Sequence, residues 1–179
     1  MERVIENPIS GERIVIRESG ERTGGQLLAF DLFLPPRGHV PAAHVHPVQE
    51  ERFTVVKGRM RFRLGRRTVV ADPGETVVVP PGTAHWFGNA GPDTSHARVE
   101  VRPALRMEEL FEMTEAIAVA GRFLGTRLPR PTDLALLLLE FQPEVSVPGV
   151  PASLVRLALA PLARVARRRR ASGARGHAR

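Results

Sequence analysis

The sequence of 179 residues contains no cysteine and no tyrosine, and its one lysine is Lys57. The absence of cysteine excludes disulfides, thiolate metal ligands and a cysteine nucleophile, and the absence of tyrosine excludes a phenolic acid or radical site. No uninterrupted apolar run reaches the roughly 18 residues that a membrane-spanning helix needs. The N-terminal stretch MERVIENPISGERIVI is charged and lacks the apolar region of a secretory signal. We therefore expect a cytoplasmic protein.

The net charge of +7 is concentrated at one end of the chain. From residue 145 onward there are eight arginines and no acidic residues, so subtracting eight from +7 leaves residues 1–144 at −1. With 42% apolar and 25% charged residues, the composition is that of a soluble globular domain. Because the basicity belongs to a tail and no DNA-reading helix is evident, we expect no specific nucleic-acid partner.

Residues 12–102 are predicted to form short strands separated by turns rich in glycine and proline. In RMRFRL, residues 59–64, three apolar side chains alternate with three arginines, as in a strand with one buried face. Three further segments have strand patterns: LLAFDLFL at 27–34, TVVVP at 76–80 and RVEVR at 98–102. Short strands at spacings of about ten residues indicate a barrel or sandwich.

The pattern becomes helical after Pro103. RPALRMEELFEMTEAIAVAG is predicted to be a helix that stops at Gly121, and PTDLALLLLEF a second helix with Thr132 as a possible cap. The chain then divides into a β-domain at 1–103, a helical extension at 104–141, a proline-rich linker at 142–152, and a C-terminal helix with an arginine-rich tail at 153–179.

The C-terminal helix, from about Ser153, permits three interpretations. Pro161 should kink it, and its apolar residues are followed by Arg167–Arg170. It could lie on an anionic membrane surface or bind nucleic acid without specificity. We favour a helix docked on the domain, whose terminal cations oppose the negative end of the helix dipole, followed by coil after Ala171.

Two histidines and two glutamates lie close together in PAAHVHPVQEERF, residues 41–53. On a strand, His44 and His46 project from the same face because they are two residues apart. After the turn that Pro47 allows, a glutamate of the returning strand could complete a site. Two imidazoles and a carboxylate form the facial arrangement typical of non-haem iron and related metals.

A fourth ligand is available in GETVVVPPGTAHWFGN, where His85 follows a proline–glycine turn. The two segments have the patterns Gly38-x5-His44-x-His46-x4-Glu51-x6-Gly58 and Gly74-x5-Pro80-x-Gly82-x2-His85-x3-Asn89, separated by 15 residues. All ten positions resemble the two signature motifs of the cupin superfamily, and the resemblance covers roughly residues 25–102. The glycines of such motifs permit turns with positive φ.

The resemblance implies a mainly β fold, an antiparallel jelly-roll barrel, with the helices as a C-terminal extension. It also implies one divalent transition metal ion at the mouth of the barrel; iron, manganese, nickel, zinc and copper stay open. The residues at the family's ligand positions are His44, His46, Glu51 and His85. Glu51 is also the candidate catalytic base, since carboxylates of quercetinase-like cupins are thought to leave the metal in part and accept a proton.

Glu50 competes with Glu51 for the carboxylate role. The distance to Gly58 in the motif favours Glu51. The alternation of the strand favours it too, because Phe53 and Val55 would then face inward with Glu51. Glu50 would be left as a supporting or surface group.

Several other residues are expected to be structural. His39, His96 and His177 lie outside the motifs and are predicted to be loop residues. Trp86 should point away from His85 and act as a packing or dimer-contact residue. The predicted barrel core, of which one or two members could line a pocket, comprises Phe30, Phe53, Met60, Phe62 and Phe87.

Three functions are compatible with these features. The first, which we favour, is a metal-dependent enzyme, a dioxygenase-type oxidoreductase acting on a small apolar or aromatic substrate; the absence of an inward arginine or lysine cluster counts against a phosphosugar isomerase. The second is a non-catalytic, metal-dependent small-molecule binder or sensor, and the third a metal-stabilised structural module. We also expect a homodimer, because the barrel's outer faces and the leucines of residues 134–139 need covering.

Overall fold

A computed structural model describes residues 3–124 and 128–176, with side chains through Arg168. His177, predicted to be a loop residue, lies outside these residues. The strands of the β-domain are β1 Arg3–Glu6, β2 Arg13–Glu18, β3 Leu28–Leu34, β4 Glu50–Lys57, β5 Met60–Leu64, β6 Arg67–Ala71, β7 Thr76–Val79, β8 His85–Asn89 and β9 Ser95–Arg102. After them come α1 Met107–Val119, the short strands β10 Phe123–Leu124 and β11 Leu128–Pro129, α2 Pro131–Glu140 and α3 Ala152–Gly176.

The β-domain is a jelly roll of two antiparallel sheets. One sheet has the order β1-β2-β3-β9-β4-β7 and the other the order β6-β5-β8. Single bridges, His39 with Gly88 and His44 with His85, link β8 to the segment between β3 and β4. In the described residues the two sheets do not close into a continuous barrel. The predicted mainly β, antiparallel jelly-roll fold is confirmed, although it is a two-sheet jelly roll rather than a closed cylinder.

The core lies between the two sheets and is built from the alternating strands. In β5, Met60 and Phe62 are buried and the intervening Arg61 and Arg63 are exposed, as the period of two predicts. Aromatic rings fill the space between the sheets, with the Phe53 ring centroid 5.2 Å from that of Phe62 and 4.8 Å from that of Phe87. The five residues predicted as core are all buried.

The outer face of the large sheet holds a buried ion-pair cluster around Asp31. Asp31 Oδ1 lies 2.8 Å from Arg98 Nε and 3.1 Å from His96 Nε2, and Asp31 Oδ2 lies 2.6 Å from Arg17 Nε. Burial raises the pKa of this carboxyl, but the hydrogen bonds from its three partners outweigh that effect and lower it to about 2. The prediction that His96 is a loop residue is wrong, because it lies on β9 opposite Phe33 and stacks on that ring.

Helix α1 is held against the β-domain by its acidic residues and by an aromatic contact. Glu108 Oε1 accepts a hydrogen bond from Gly20 N at 2.7 Å, and Glu115 Oε1 accepts one from Glu6 N at 2.8 Å. The ring of Phe111 meets Phe30 edge to face at 5.3 Å. The first helix of the extension therefore covers one side of the jelly roll.

Helix α2 begins one residue earlier than its predicted cap. Arg130 is the N-cap and Pro131 occupies the first helical position, so Thr132 is not the cap. Proline suits this position because its fixed φ fits a first helical turn and its missing N–H would have no partner there. Leu136 of α2 is buried in a cluster with α3, and Leu137 is buried in a cluster with α1. The other leucines of α2, Leu134, Leu138 and Leu139, are half-buried. The homodimer expected partly from these leucines stays a prediction.

Helix α3 runs from Ala152 to Gly176 with Pro161 inside it. The coil predicted after Ala171 is wrong, because helical backbone continues for five more residues. Ala163 and Ala166 are buried against Ala135 and Leu136 of α2, which is a docked face of the kind we favoured. No helix in the described part of the chain is long and apolar enough to span a membrane.

We predict that removing residues 167–179 leaves the fold intact, since the buried residues of α3 end at Ala166 among the side chains described. The melting temperature should shift by no more than about 2 °C, within the range of surface changes. Truncation after Leu162 is the contrast, because it also removes Ala163 and Ala166 and should lower the melting temperature clearly. Equal destabilisation by both truncations would show that the arginine tail supports the fold.

Candidate metal centre

The peptide backbone brings the two sequence motifs together at the His44–His85 bridge. His44 N donates to His85 O and His85 N donates to His44 O, both at 2.9 Å. Gly82 N donates to His46 O at 2.8 Å, and Gly82 has φ +75°, a conformation that glycine adopts at no steric cost. These hydrogen bonds place three imidazoles from distant segments on one side of the jelly roll.

The alternation of β4 decides which glutamate points inward. Glu51, Phe53 and Val55 are buried, whereas Arg52 is exposed. Glu50 lies on the outer face, 40% exposed and 3.9 Å from Arg52 Nη2. The structure therefore places Glu51, and not Glu50, beside the histidines.

The four residues converge closely enough to hold one metal ion. One potential ligand atom from each of His44, His46, Glu51 and His85 lies within 4.8 Å of every other. Glu51 Oε2 lies 2.9 Å from His85 Nε2 and 3.3 Å from His46 Nε2. All three of these atoms are buried, and none has a hydrogen bond of good geometry among the described residues. Buried polar atoms are nearly always satisfied, so their convergence fits a cation that would accept their lone pairs.

The contact of each imidazole Nδ1 atom with a backbone carbonyl determines the tautomer of the ring. The Nδ1 atom of His44 lies 3.2 Å from Ala42 O and that of His85 lies 3.0 Å from Thr83 O. Nδ1 of His46 makes a short contact with Glu144 O. A carbonyl oxygen can only accept, so the proton must be on Nδ1 in all three rings. In its neutral form each ring then directs the lone pair of Nε2 toward the others, as metal-binding histidines do. In its protonated form the ring carries a second proton on Nε2, which it can donate to Glu51.

Burial and mutual charge set the protonation states of the cluster. Burial lowers the pKa of His44 to about 4, with help from the neighbouring His85 and His46, so this ring is neutral at physiological pH. Burial lowers the pKa of His46 but attraction to Glu51 more than offsets this and raises it. Burial raises the pKa of Glu51, yet the attraction and hydrogen bonding of His46 and His85 hold it well below its ordinary value. Glu51 is therefore an anion.

A cavity of about 370 Å³ adjoins the cluster and includes His44, His46 and Glu51 in its wall. Its β-domain side includes Phe30, Phe53 and Phe87 of the predicted core, and its opposite side is formed by α1, α2 and residues 145–147. No arginine or lysine is among the described residues that line it. Its size lies in the usual ligand-pocket range of roughly 300–1,000 Å³.

Trp86 packs behind His39 and Val40, which line this cavity. Trp86 Nε1 donates to Val40 O at 3.0 Å, and its ring centroid lies 5.2 Å from that of His39. Trp86 does not line the cavity, so it packs rather than acting as a substrate platform. A Cβ on Gly88 would come within 2.6 Å of His39 Cβ, which explains the glycine where the two segments cross.

Two residues near the site were not predicted from the sequence. Glu144, in the segment predicted to be a linker, supplies the carbonyl that His46 contacts, and Ser146, two residues later, pairs with Val45 as an antiparallel bridge. No local pattern marks this contact. Glu12 lines the cavity, and its place two residues before Ile14 in the alternating stretch ERIVI could have revealed its inward direction.

Comparison with solved structures found several that are similar to this chain. An RmlC-like cupin from Shewanella frigidimarina is 16% identical over 60% of this chain and 89% of its own, with a TM-score of 0.50. A predicted oxalate decarboxylase from Thermotoga maritima is 19% identical over 57% and 92%, with a TM-score of 0.49. A conserved protein with a double-stranded β-helix domain from Klebsiella pneumoniae is 21% identical over 51% and 76%, with a TM-score of 0.45. At 16% identity, the likeness to the Shewanella frigidimarina protein concerns the fold alone.

The two-sheet jelly roll with an inward cluster of three histidines and a glutamate is the architecture of a cupin. Residues 31–99 match the cupin-domain family model. The chain accordingly contains a cupin domain, which is followed by a C-terminal helical extension. Comparison with curated proteins found no match.

We predict that His44, His46 and His85 carry their protons on Nδ1 in metal-free protein at alkaline pH, where imidazoles are neutral. Two-dimensional ¹⁵N–¹H NMR of the imidazole rings distinguishes the tautomers. Replacing Ser146 by proline removes the N–H that Val45 O accepts at 2.9 Å and should release His46 alone. Ser146→Ala keeps that N–H and is the control. An Nε2–H form in two of the three rings would contradict the tautomers inferred from the carbonyls.

Proposed function

We propose that the protein binds one divalent transition metal through His44, His46, Glu51 and His85, and that it is a dioxygenase-type enzyme acting on a small apolar or aromatic substrate. The observation that carries the proposal is the convergence of buried, unpartnered Nε2 and carboxylate atoms beside an apolar cavity. A bound metal would supply an electron-pair acceptor and, if redox-active, electrons for oxygen chemistry.

The surrounding residues support this role. The carbonyls of Ala42, Thr83 and Glu144 hold the imidazoles in the orientation that a cation needs. Glu51 supplies the negative charge and is the candidate proton acceptor, since its carboxylate lies in the wall of the substrate cavity. Its low pKa makes it a stronger ligand than base, so accepting a proton would require it to separate from His46 and His85.

The cavity wall favours an apolar substrate. Phe30, Leu32, Phe53 and Phe87 present carbon atoms to the space beside the cluster. A phosphate-bearing substrate would need a cluster of arginine or lysine side chains to hold it, and the described lining residues include neither. Helix α1 and residues 145–147 cover the cavity opposite the β-domain, which would shield the reacting atoms from water.

The alternative is a binder or sensor without catalysis, and one observation favours it. Leu134, Leu137 and Leu138 of α2 line the cavity, and the same helix packs on α3 through Ala135 and Leu136. A ligand in the cavity would therefore contact the helix on which the basic C-terminal segment is docked. Occupancy could change how α3 is held.

We predict that the two adjacent glutamates behave differently when each is changed to glutamine. Glu51→Gln should lower metal affinity about 10-fold or more, because it removes the anionic ligand. His85→Ala should also lose metal, because it removes one imidazole. Glu50→Gln is the matched control, since it makes the same chemical change on the outer face and should keep the wild-type metal content. Metal content is measured by inductively coupled plasma mass spectrometry after purification.

The outcomes of this experiment are distinct. Loss of metal from Glu50→Gln alone would mean that the carboxylate assignment is wrong by one residue. Unchanged metal content in all three variants, each folded by circular dichroism, would refute the metal centre. Loss of fold with loss of metal, and no ligand binding, would indicate the third hypothesis, a metal-stabilised structural module.

We predict that the metal-loaded protein consumes oxygen when supplied with a substrate from a panel of small phenolic and other aromatic compounds. Substrate turnover should be absent under argon. Oxygen uptake in air should be absent in Glu51→Gln and unchanged in Glu50→Gln. An oxygen electrode and chromatography of the products provide the measurement. Saturable binding of a panel member without turnover would decide for the sensor; equal turnover under air and argon would exclude an oxygenase.

A further inference from the structure

The cavity contains few polar groups besides the metal cluster, and most are already bonded within the protein. Asn7 Oδ1 accepts from Ile9 N and Ser10 N, and Ser10 Oγ accepts from Glu12 N. Thr114 Oγ1 donates to Leu110 O, and Glu115 Oε1 accepts from Glu6 N. These side chains hold the turn between β1 and β2 and tie α1 to it.

Glu12 is different. Glu12 is half-buried by its accessible surface and lines the cavity, and its carboxyl has no hydrogen bond or ion pair with any described residue. It is turned inward by the strand: Ile14, two residues later, is 5% exposed and faces the core, whereas the intervening Arg13 pairs with Glu6 outside at 3.1 Å. A carboxyl at such a position costs stability unless something compensates it.

Nothing in the fold requires an acid at residue 12. A leucine or valine there would continue the apolar face of Ile14 and Ile16 and would match the phenylalanines opposite. The carboxyl thus lies where a ligand, rather than the protein, could supply its partner. No arginine or lysine lines this space among the described residues.

We propose that Glu12 is a specificity-determining residue, and that the cavity takes a small molecule with an apolar body and a basic nitrogen, whose ammonium group pairs with the Glu12 carboxylate. This inference refines the proposed function by giving its substrate class a positive end. A charge-assisted hydrogen bond in a cavity of low polarity is strong and selective. The apolar walls would bury the remainder of the ligand.

The protonation of Glu12 supports this proposal. Burial raises the pKa of Glu12 from 4.5 to about 7, so the free protein holds a mixture of acid and anion near neutrality. The other titratable groups in the cavity wall are His39, Glu115 and the cluster members His44, His46 and Glu51. A bound ammonium group would favour the Glu12 anion, and amine affinity should therefore rise between about pH 6 and about pH 8, while the amine itself stays protonated.

The experiment compares three probes of one skeleton on the purified full-length protein: phenethylamine, phenethyl alcohol and hydrocinnamate, with metal content determined in the same sample. Isothermal titration calorimetry gives their affinities for wild type, Glu12→Gln and Glu50→Gln. We expect wild type to prefer the amine to the alcohol by about 10-fold or more. Glu12→Gln should abolish that preference and its pH dependence, and Glu50→Gln, with the same loss of charge outside the cavity, should keep both.

Folding of Glu12→Gln is checked by its melting temperature. A carboxyl whose pKa is raised on folding contributes stability below its ordinary value of 4.5 and loses it as the pH rises to about 7. Glutamine has no charge to bury, so the variant should melt at a temperature equal to or above that of wild type at pH values above about 7. A variant that melts at a lower temperature there would contradict the account of Glu12 as an uncompensated acid.

The outcomes separate this inference from the proposed metal function. An amine preference that persists in Glu12→Gln, or a wild type that does not distinguish the amine from the alcohol, overturns the role of Glu12 whatever the metal content. An amine preference that depends on Glu12 in protein that binds no metal supports the residue and overturns the metal function instead.

Discussion

A carboxylate buried among three imidazoles is the constraint on which the arrangement of this chain depends. An ionised carboxyl is stable inside a protein only where positive charge or hydrogen-bond donors compensate it. Glu51 receives this compensation from His46 and His85, and the histidines in turn need carbonyl acceptors on their far sides. The bridge between the two motifs and the return of the chain at Glu144 both serve this requirement.

Three inward or buried carboxyls of the β-domain show three ways of meeting that requirement. Asp31, on the outer face of the large sheet, is saturated by two arginines and a histidine, and its pKa falls to about 2. Glu51 is an anion that is attracted to His46 and His85, but its Oε2 atom and their Nε2 atoms have no hydrogen bond of good geometry. Glu12 has no partner, and its pKa rises to about 7. Asp31 faces away from the cavity, whereas Glu51 and Glu12 belong to residues that line it, where a ligand would complete their interactions.

The sequence predicts those parts of this structure that depend on local geometry. The alternation of β5 and the inward direction of Glu51 follow from the period of two along a strand, and Gly58 has φ +78°, as a motif glycine in a turn should. The start of α2 was misplaced by one position because proline and threonine both suit helix starts, and the fixed φ of Pro131 prevailed. His96 was misassigned because its partner, Asp31, is remote in sequence and becomes its neighbour only through strand pairing.

The contact between His46 and the backbone of Glu144 joins residues 98 positions apart, and no periodic pattern could have predicted it. Because of this contact, the jelly roll and the set of residues that orient the histidines end at different points in the chain. The two sheets of the jelly roll end at Arg102, but the backbone contacts that orient the histidines extend to Ser146. In an exchange of parts between related proteins, a jelly roll transferred without its helical neighbour would keep its topology and lose the acceptor that orients one imidazole. The segment that must be kept together to preserve this site therefore extends past the jelly roll to Glu144.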